Sequence, residues 1–188
     1  MAVWLDIIAS FIFGGLLALN VMRMNADMTA RSYRSTLTYI AQSSAVTIAQ
    51  ILEEDFRRMG FGVAGTAITL ADSSQIRFLA DLGADGSVDT LNYAISDTTE
   101  ASATPNPDDR VLYRALNGGT PQGMRLGETG FRLSYFKANG DSLAMPVAAP
   151  DSIRRIRVDL TVESKVAYDA TYARAFMQLR LQPRNLGP

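Results

Sequence analysis

The chain has 188 residues and contains neither cysteine nor histidine. Without these residue types it has no disulfides, thiolate nucleophiles or thiolate zinc sites, and it lacks the commonest general base and transition-metal ligand. Its 18 basic and 19 acidic residues leave a net charge of −1, which argues against a nucleic-acid partner bound through bulk charge. A hydrophobic share of 47% suffices for a folded core, and the length predicts about one globular domain.

The chain begins with an apolar run that carries no charge between Ile7 and Met22. At ~1.5 Å per residue this run spans roughly 24 Å as a helix, and adding residues 1–5 reaches the thickness of a membrane with Asp6 inside it. A cleaved signal peptide is the alternative, but it needs a basic start and a small-residue cleavage site, and we find neither. We therefore predict a retained transmembrane stem over residues 1–25.

Apolar residues then recur at steps of three and four, which is typical of one face of an amphipathic helix. There is no proline before Pro105, and Gly60 follows the last apolar position as a helix stop. We predict that residues 26–60 continue the same helix and pack on a sheet. The residues expected in this packing are Leu37, Ile40, Ile48, Leu52, Phe56 and Met59, with Ala41 and Ala45 between them.

After Gly60 the hydrophobic period changes to two, which predicts half-buried antiparallel strands over residues 61–188. The clearest alternations are at residues 131–136, 156–163 and 175–182, and weaker ones are at 67–70, 75–79, 87–95 and 110–116. The predicted fold class is α+β, with one long N-terminal helix packed on an antiparallel β-sheet.

Three short motifs have competing interpretations. Residues 60–65 match G-x-G-x-x-G, but a helix rather than a strand precedes them, which favours a helix cap and loop. Asp81, Asp85 and Asp89 have part of the spacing of a calcium loop, and a hairpin turn explains the same residues. Residues 53–55 with Arg57 and Arg58 form a charge cluster that we interpret as solvated or facing another subunit.

The sequence contains no motif that indicates enzymatic chemistry. The chain has no G-x-S-x-G, and neither of its lysines, Lys137 and Lys165, lies in Ser-x-x-Lys. We therefore expect no catalytic residues, and we expect no cofactor beyond the possible calcium at residues 81–89.

Several segments, in this order along the chain, resemble the type IV pilin-like family, specifically minor pilins and type II secretion pseudopilins of the PilW and GspJ kind. Residues 55–61 read D-F-R-R-M-G-F, similar to the motif that ends the family's long helix. Residues 78–89, followed by Tyr93, are similar to its strand–turn–strand. Other segments resemble its central hairpins and last strands: 112–114 with 118–119, 131–136 with 140, 153–158 and 183–186.

The resemblance implies a type IV pilin-like fold and a structural subunit of a pilus or pseudopilus. With Met1 removed, Ala2 becomes the first residue and Asp6 the fifth, where the family has a carboxylate that pairs with a neighbour's N-terminal amine. The stems would bundle through Ile7, Ile8, Phe11, Ile12, Leu16 and Leu19. The implied partners are copies of the chain, other pilin-like subunits and inner-membrane lipid before assembly.

The side of the membrane on which the sheet lies has two interpretations. Arg23, Arg31 and Arg34 follow the uncharged apolar run, and the positive-inside rule alone would place the sheet in the cytoplasm. The resemblance implies a single-pass inner-membrane protein with a periplasmic or extracellular sheet. A non-polymerising, membrane-anchored binding module is the alternative function.

Overall fold

A single helix accounts for the N-terminal third of the chain. The structure, a computed structural model, describes residues 2–186, with side chains from residue 3 onward. Helix α1 spans Ala2–Arg58, 57 residues without interruption. Gly60 follows it with a positive φ of 78°, a left-handed conformation that glycine adopts without steric cost, so the predicted helix stop is confirmed.

Within the described residues, seven strands form one antiparallel sheet in which each strand pairs with its neighbours in sequence. Two short 3₁₀ helices, Thr99–Ala101 and Pro150–Ser152, lie in the connections. The strands are β1 (Ile68–Ala71), β2 (Gln75–Ala80), β3 (Asp89–Ile95), β4 (Arg110–Leu116), β5 (Gln122–Phe136), β6 (Arg155–Glu163) and β7 (Arg174–Leu181). The α+β prediction of one long helix packed on an antiparallel sheet is confirmed.

Strand β5 is much longer than the sequence pattern indicated. Alternation predicted a strand only from Phe131, whereas β5 begins at Gln122. Its first half contains three glycines and a register shift against β6 between Glu128 and Gly130. Such a bulge breaks the period of two, so the hydrophobic pattern does not reveal this half of the strand.

The chain divides into two compact units, residues 1–37 and 38–188. In the first unit, the described side chains before Leu37 are exposed, apart from an intermediate Ala30. The second unit contains the rest of α1 and the whole sheet, because these share one hydrophobic core.

That core lies between one face of α1 and one face of the sheet. Phe56 packs edge-on against Phe78 and Tyr93, with ring centroids 5.4 and 5.7 Å apart. This is a favourable geometry for aromatic rings. The sheet contributes buried alternate residues, as the pattern of β6 predicted: Ile156, Val158, Leu160 and Val162.

The predicted helix stripe is buried with one exception. The residues confirmed as buried are Leu37, Ile48, Leu52, Phe56 and Met59. Ile40 is 49% exposed, so its predicted packing on the sheet is wrong. Each residue advances ~100° around a helix, and Ile40 therefore falls outside the stripe that the adjacent, buried Ala41 occupies.

Candidate functional site

The predicted stem contains a long exposed apolar surface over Val3–Met22, and from here on "the stem" denotes these residues. Its large hydrophobic side chains are between 44% and 80% exposed, the highest value being that of Phe11. An 18-residue window of α1 has a mean hydropathy of 2.0 and is 0% buried, so the helix is long and apolar enough to cross a membrane. All the described residues predicted to mediate assembly lie on this exposed surface: Asp6, Ile7, Ile8, Phe11, Ile12, Leu16 and Leu19.

Polar side chains of the stem bond to its own backbone. The Ser10 hydroxyl donates to the carbonyl of Asp6 at 2.7 Å, and the Asn20 amide donates to the carbonyl of Leu16 at 3.1 Å. These hydrogen bonds lower the cost of placing the two side chains in an apolar environment. Asp6 is the only acidic residue of the stem, and in an apolar environment its carboxylate would need a positively charged partner. Ala2 begins the helix, and Met1 lies outside the described residues.

The helix is joined to the sheet by a buried cluster, which we call the Asp55 clamp. Asp55 is 8% exposed, and its Oδ2 accepts hydrogen bonds from the Tyr93 hydroxyl and, at 2.6 Å, from Arg114 Nε. A second Arg114 nitrogen, Nη2, donates to Asp55 Oδ1 at 3.3 Å. Since Tyr93 lies on β3 and Arg114 on β4, the clamp connects α1 with the middle of the sheet.

Electrostatics fix the protonation states of the two residues that donate to Asp55, Tyr93 and Arg114. Burial, followed by the hydrogen bond to Asp55, raises the pKa of Tyr93 far above that of an ordinary phenol. The hydrogen bond to Asp55 likewise raises the pKa of Arg114. Tyr93 is thus a neutral donor and Arg114 a permanent cation at any physiological pH.

The sequence did not reveal the clamp, because residues 53–55 were interpreted together with Arg57 and Arg58 as one charge cluster, solvated or facing another subunit. Glu53 and Glu54 do lie on the surface, where they pair with the arginines four residues later at 2.5 and 3.1 Å. Asp55 turns inward because it lies three residues after Leu52 and four before Met59, on the buried stripe. That spacing was the available signal.

The loop after α1 has a packing role. The Gly60 amide donates to the carbonyl of Leu79 at 2.9 Å, and a Cβ at Gly60 would lie 2.7 Å from the carbonyl oxygen of Asn185. Residues 60–65 run from a helix to β1, so they lack the strand and the helix that a dinucleotide-binding loop requires. The interpretation of this motif as a cap and loop is confirmed.

The residues of the calcium hypothesis lie in and beside the β2–β3 connection. Asp81 accepts hydrogen bonds from the amides of Asp85 and Gly86, at 3.2 and 2.9 Å. Asp85 accepts one from Ser87, and Asp89 accepts one from Leu82. Among the described residues we find no group of three or more acidic side chains that could hold a metal ion. A hydrogen-bonded turn explains these residues, and calcium at this turn stays a prediction.

The fold and the stem define a class in structural terms: an α+β domain whose core helix extends into an exposed apolar segment. Comparison of the chain with protein-family models, with curated proteins and with solved structures finds no match. What the protein does must therefore be inferred from its own residues.

Proposed function

We propose that this protein is a structural subunit of a helical filament, of the pilus or pseudopilus kind, that assembles through the stem. The observation that carries the proposal is the exposed apolar surface of Val3–Met22 on a helix whose second half is the core of the sheet domain. Such a stem can leave lipid for a bundle of other stems at small cost, because the two environments have similar polarity.

Asp6 has a defined role in this proposal. A carboxylate in an apolar bundle requires a cation, and the N-terminal amine of a neighbouring stem is a suitable one. The pair would also set the relative height of adjacent subunits, since a one-turn slip would separate the charges. The resemblance to pilin-like proteins supports this assignment, as does the position of Asp6 on the exposed surface. The sheet would then lie on the periplasmic or extracellular side of the inner membrane.

Substitution of Asp6 tests the proposal. We expect Asp6→Ala to reduce the sedimentable, assembled fraction of full-length protein at least tenfold, whereas Asp6→Glu keeps most of it. Ser10→Ala, one turn away, is the matched control because, among the described residues, the Ser10 hydroxyl donates to its own helix alone. Assembly of Asp6→Ala at the wild-type yield would contradict the role of the carboxylate. A wild-type protein that never sediments would favour the membrane-anchored binding module.

A further inference from the structure

Two buried carboxylates lie at one end of the sheet, away from the Asp55 clamp. Asp109 directly precedes β4, and Glu128 lies on β5 opposite Arg110. They are 2% and 0% exposed. Both oxygens of Asp109 and one oxygen of Glu128, Oε1, are buried without a hydrogen-bond partner within the described part of the chain. Such orphan groups are rare in folded proteins and call for an explanation.

Neighbouring groups do not neutralise this pair. Glu163, on β6, is already paired with Arg174 at 2.5 Å and also accepts a hydrogen bond from the Asn106 amide at 3.1 Å. Lys165 is close enough to lower the pKa of Asp109 and Glu128 in part, but it is exposed and forms no ion pair with either. Glu128 Oε2 accepts a hydrogen bond from the Leu126 amide at 2.9 Å, so three carboxyl oxygens of the pair have no donor among the described residues.

Burial disfavours the charged form of both groups more than the neighbouring donors and Lys165 favour it. Burial raises the pKa of Asp109, and burial raises that of Glu128 to about 7, with the charge of Asp109 adding to the effect. The Thr104 hydroxyl donates a hydrogen bond to the carbonyl of Ala101, 2.9 Å away. It also lies close enough to Asp109 to lower the pKa of that carboxyl in part. The pair needs a positive occupant to be stable when ionised.

We propose that Asp109 and Glu128 bind one hard divalent cation, Ca²⁺. Both donors are oxygens, which excludes the soft metals that histidine and cysteine select. The site is built on a β-bulge and an irregular loop, and Ca²⁺ accepts six to eight irregularly placed oxygens where Mg²⁺ demands an octahedron. Because Glu163 is engaged by Arg174, two carboxylates supply the charge, and backbone oxygens and water complete the shell.

At this end of the sheet the backbone of β5 passes very close to the backbone of β6. Gly127 has a φ of 90°, and a Cβ there would lie 2.2 Å from the carbonyl oxygen of Glu163. Asn106 bonds to Glu163 and to the carbonyl of Ser164, so the loop before β4 is fastened to β6 beside the pair. Binding of a cation would therefore stabilise the end of the sheet formed by β4, β5 and β6.

Calcium titration of the full-length protein in detergent, after treatment with a chelator, tests the proposal. We expect the Tm of the wild type to rise by about 5–10 °C at a calcium concentration ~100 times the Kd. Asp109→Asn and Glu128→Gln should each lose this shift. Both variants should have a higher Tm than the wild type in chelator, since each removes an unpaired buried charge.

A paired control distinguishes this site from the β2–β3 turn. Asp85→Asn with Asp89→Asn should keep the full calcium shift, because those residues belong to the turn. The proposal is overturned if the wild type shows no shift, if the shift persists in both Asp109→Asn and Glu128→Gln, or if only the turn variant loses it. The titration of the wild type decides between binding and no binding even where a variant does not fold.

Discussion

At the scale of single residues, the Asp55 clamp is a buried polar link between the helix and the sheet. Its carboxylate receives bonds from two strands, and its partners are themselves bonded, with Arg114 Nε 3.1 Å from the Tyr93 hydroxyl. Loss of one member of such a network destabilises the fold more than an apolar contact in its place would, because the remaining buried polar groups stay without partners. The clamp therefore favours one placement of α1 on the sheet.

We expect Asp55→Ala to lower the free energy of unfolding by about 2–3 kcal/mol, since it leaves Arg114 and Tyr93 without their shared acceptor. Glu54→Ala is the control: Glu54 precedes Asp55 but its side chain is 69% exposed, and the loss should stay within ~0.5 kcal/mol. Denaturant unfolding of the two variants measures the difference. Equal losses would contradict the clamp.

Tyr135 gives a prediction about alkaline pH. Its buried hydroxyl donates to the carbonyl of Asp72 at 3.0 Å, and burial raises its pKa above that of an ordinary phenol. Below pH ~10 the phenol is neutral in both states, whereas above it only the unfolded state releases the proton. Stability should therefore fall as pH rises beyond ~10. Tyr135→Phe should reduce this slope by about 1.4 kcal/mol per pH unit, as measured by denaturant unfolding at several alkaline pH values. An unchanged slope would contradict the raised pKa of Tyr135.

At the scale of elements, the two isoleucines Ile40 and Ile48 separate the buried from the exposed face of α1. Ile48 is 0% exposed and packs in the core, whereas Ile40 is half exposed. We predict that Ile48→Ala costs about 2–5 kcal/mol, through lost burial and a residual cavity, and that Ile40→Ala costs less than ~0.5 kcal/mol. Comparable losses in denaturant unfolding would show that the stripe is assigned to the wrong face.

How far the sequence predicted these elements depends on what each pattern encodes. The end of α1 was predictable because Gly60 is a local signal, and β6 because its alternation is regular. The first half of β5 was not, because its glycines and its bulge erase the period. The candidate site divides in the same way. The stem is continuous in sequence and was predicted, whereas Asp55, Asp109 and Glu128 acquire partners or lose solvent only in the tertiary structure.

At the scale of the whole molecule, the two units have opposite relations to solvent. Residues 38–188 enclose one continuous core, with buried side chains from both α1 and the sheet. The large apolar side chains of the stem, in contrast, are 44–80% exposed, far more than a soluble monomer usually tolerates over so long a segment. Under the proposed function, lipid covers that surface before assembly and other stems cover it in the filament.

The most direct measurement of this central claim is negative-stain electron microscopy of full-length protein extracted from membranes, after removal of detergent. We predict thin filaments of uniform width, because stems that lose detergent would bury their apolar faces against one another. Monodisperse particles under the same conditions would contradict the claim.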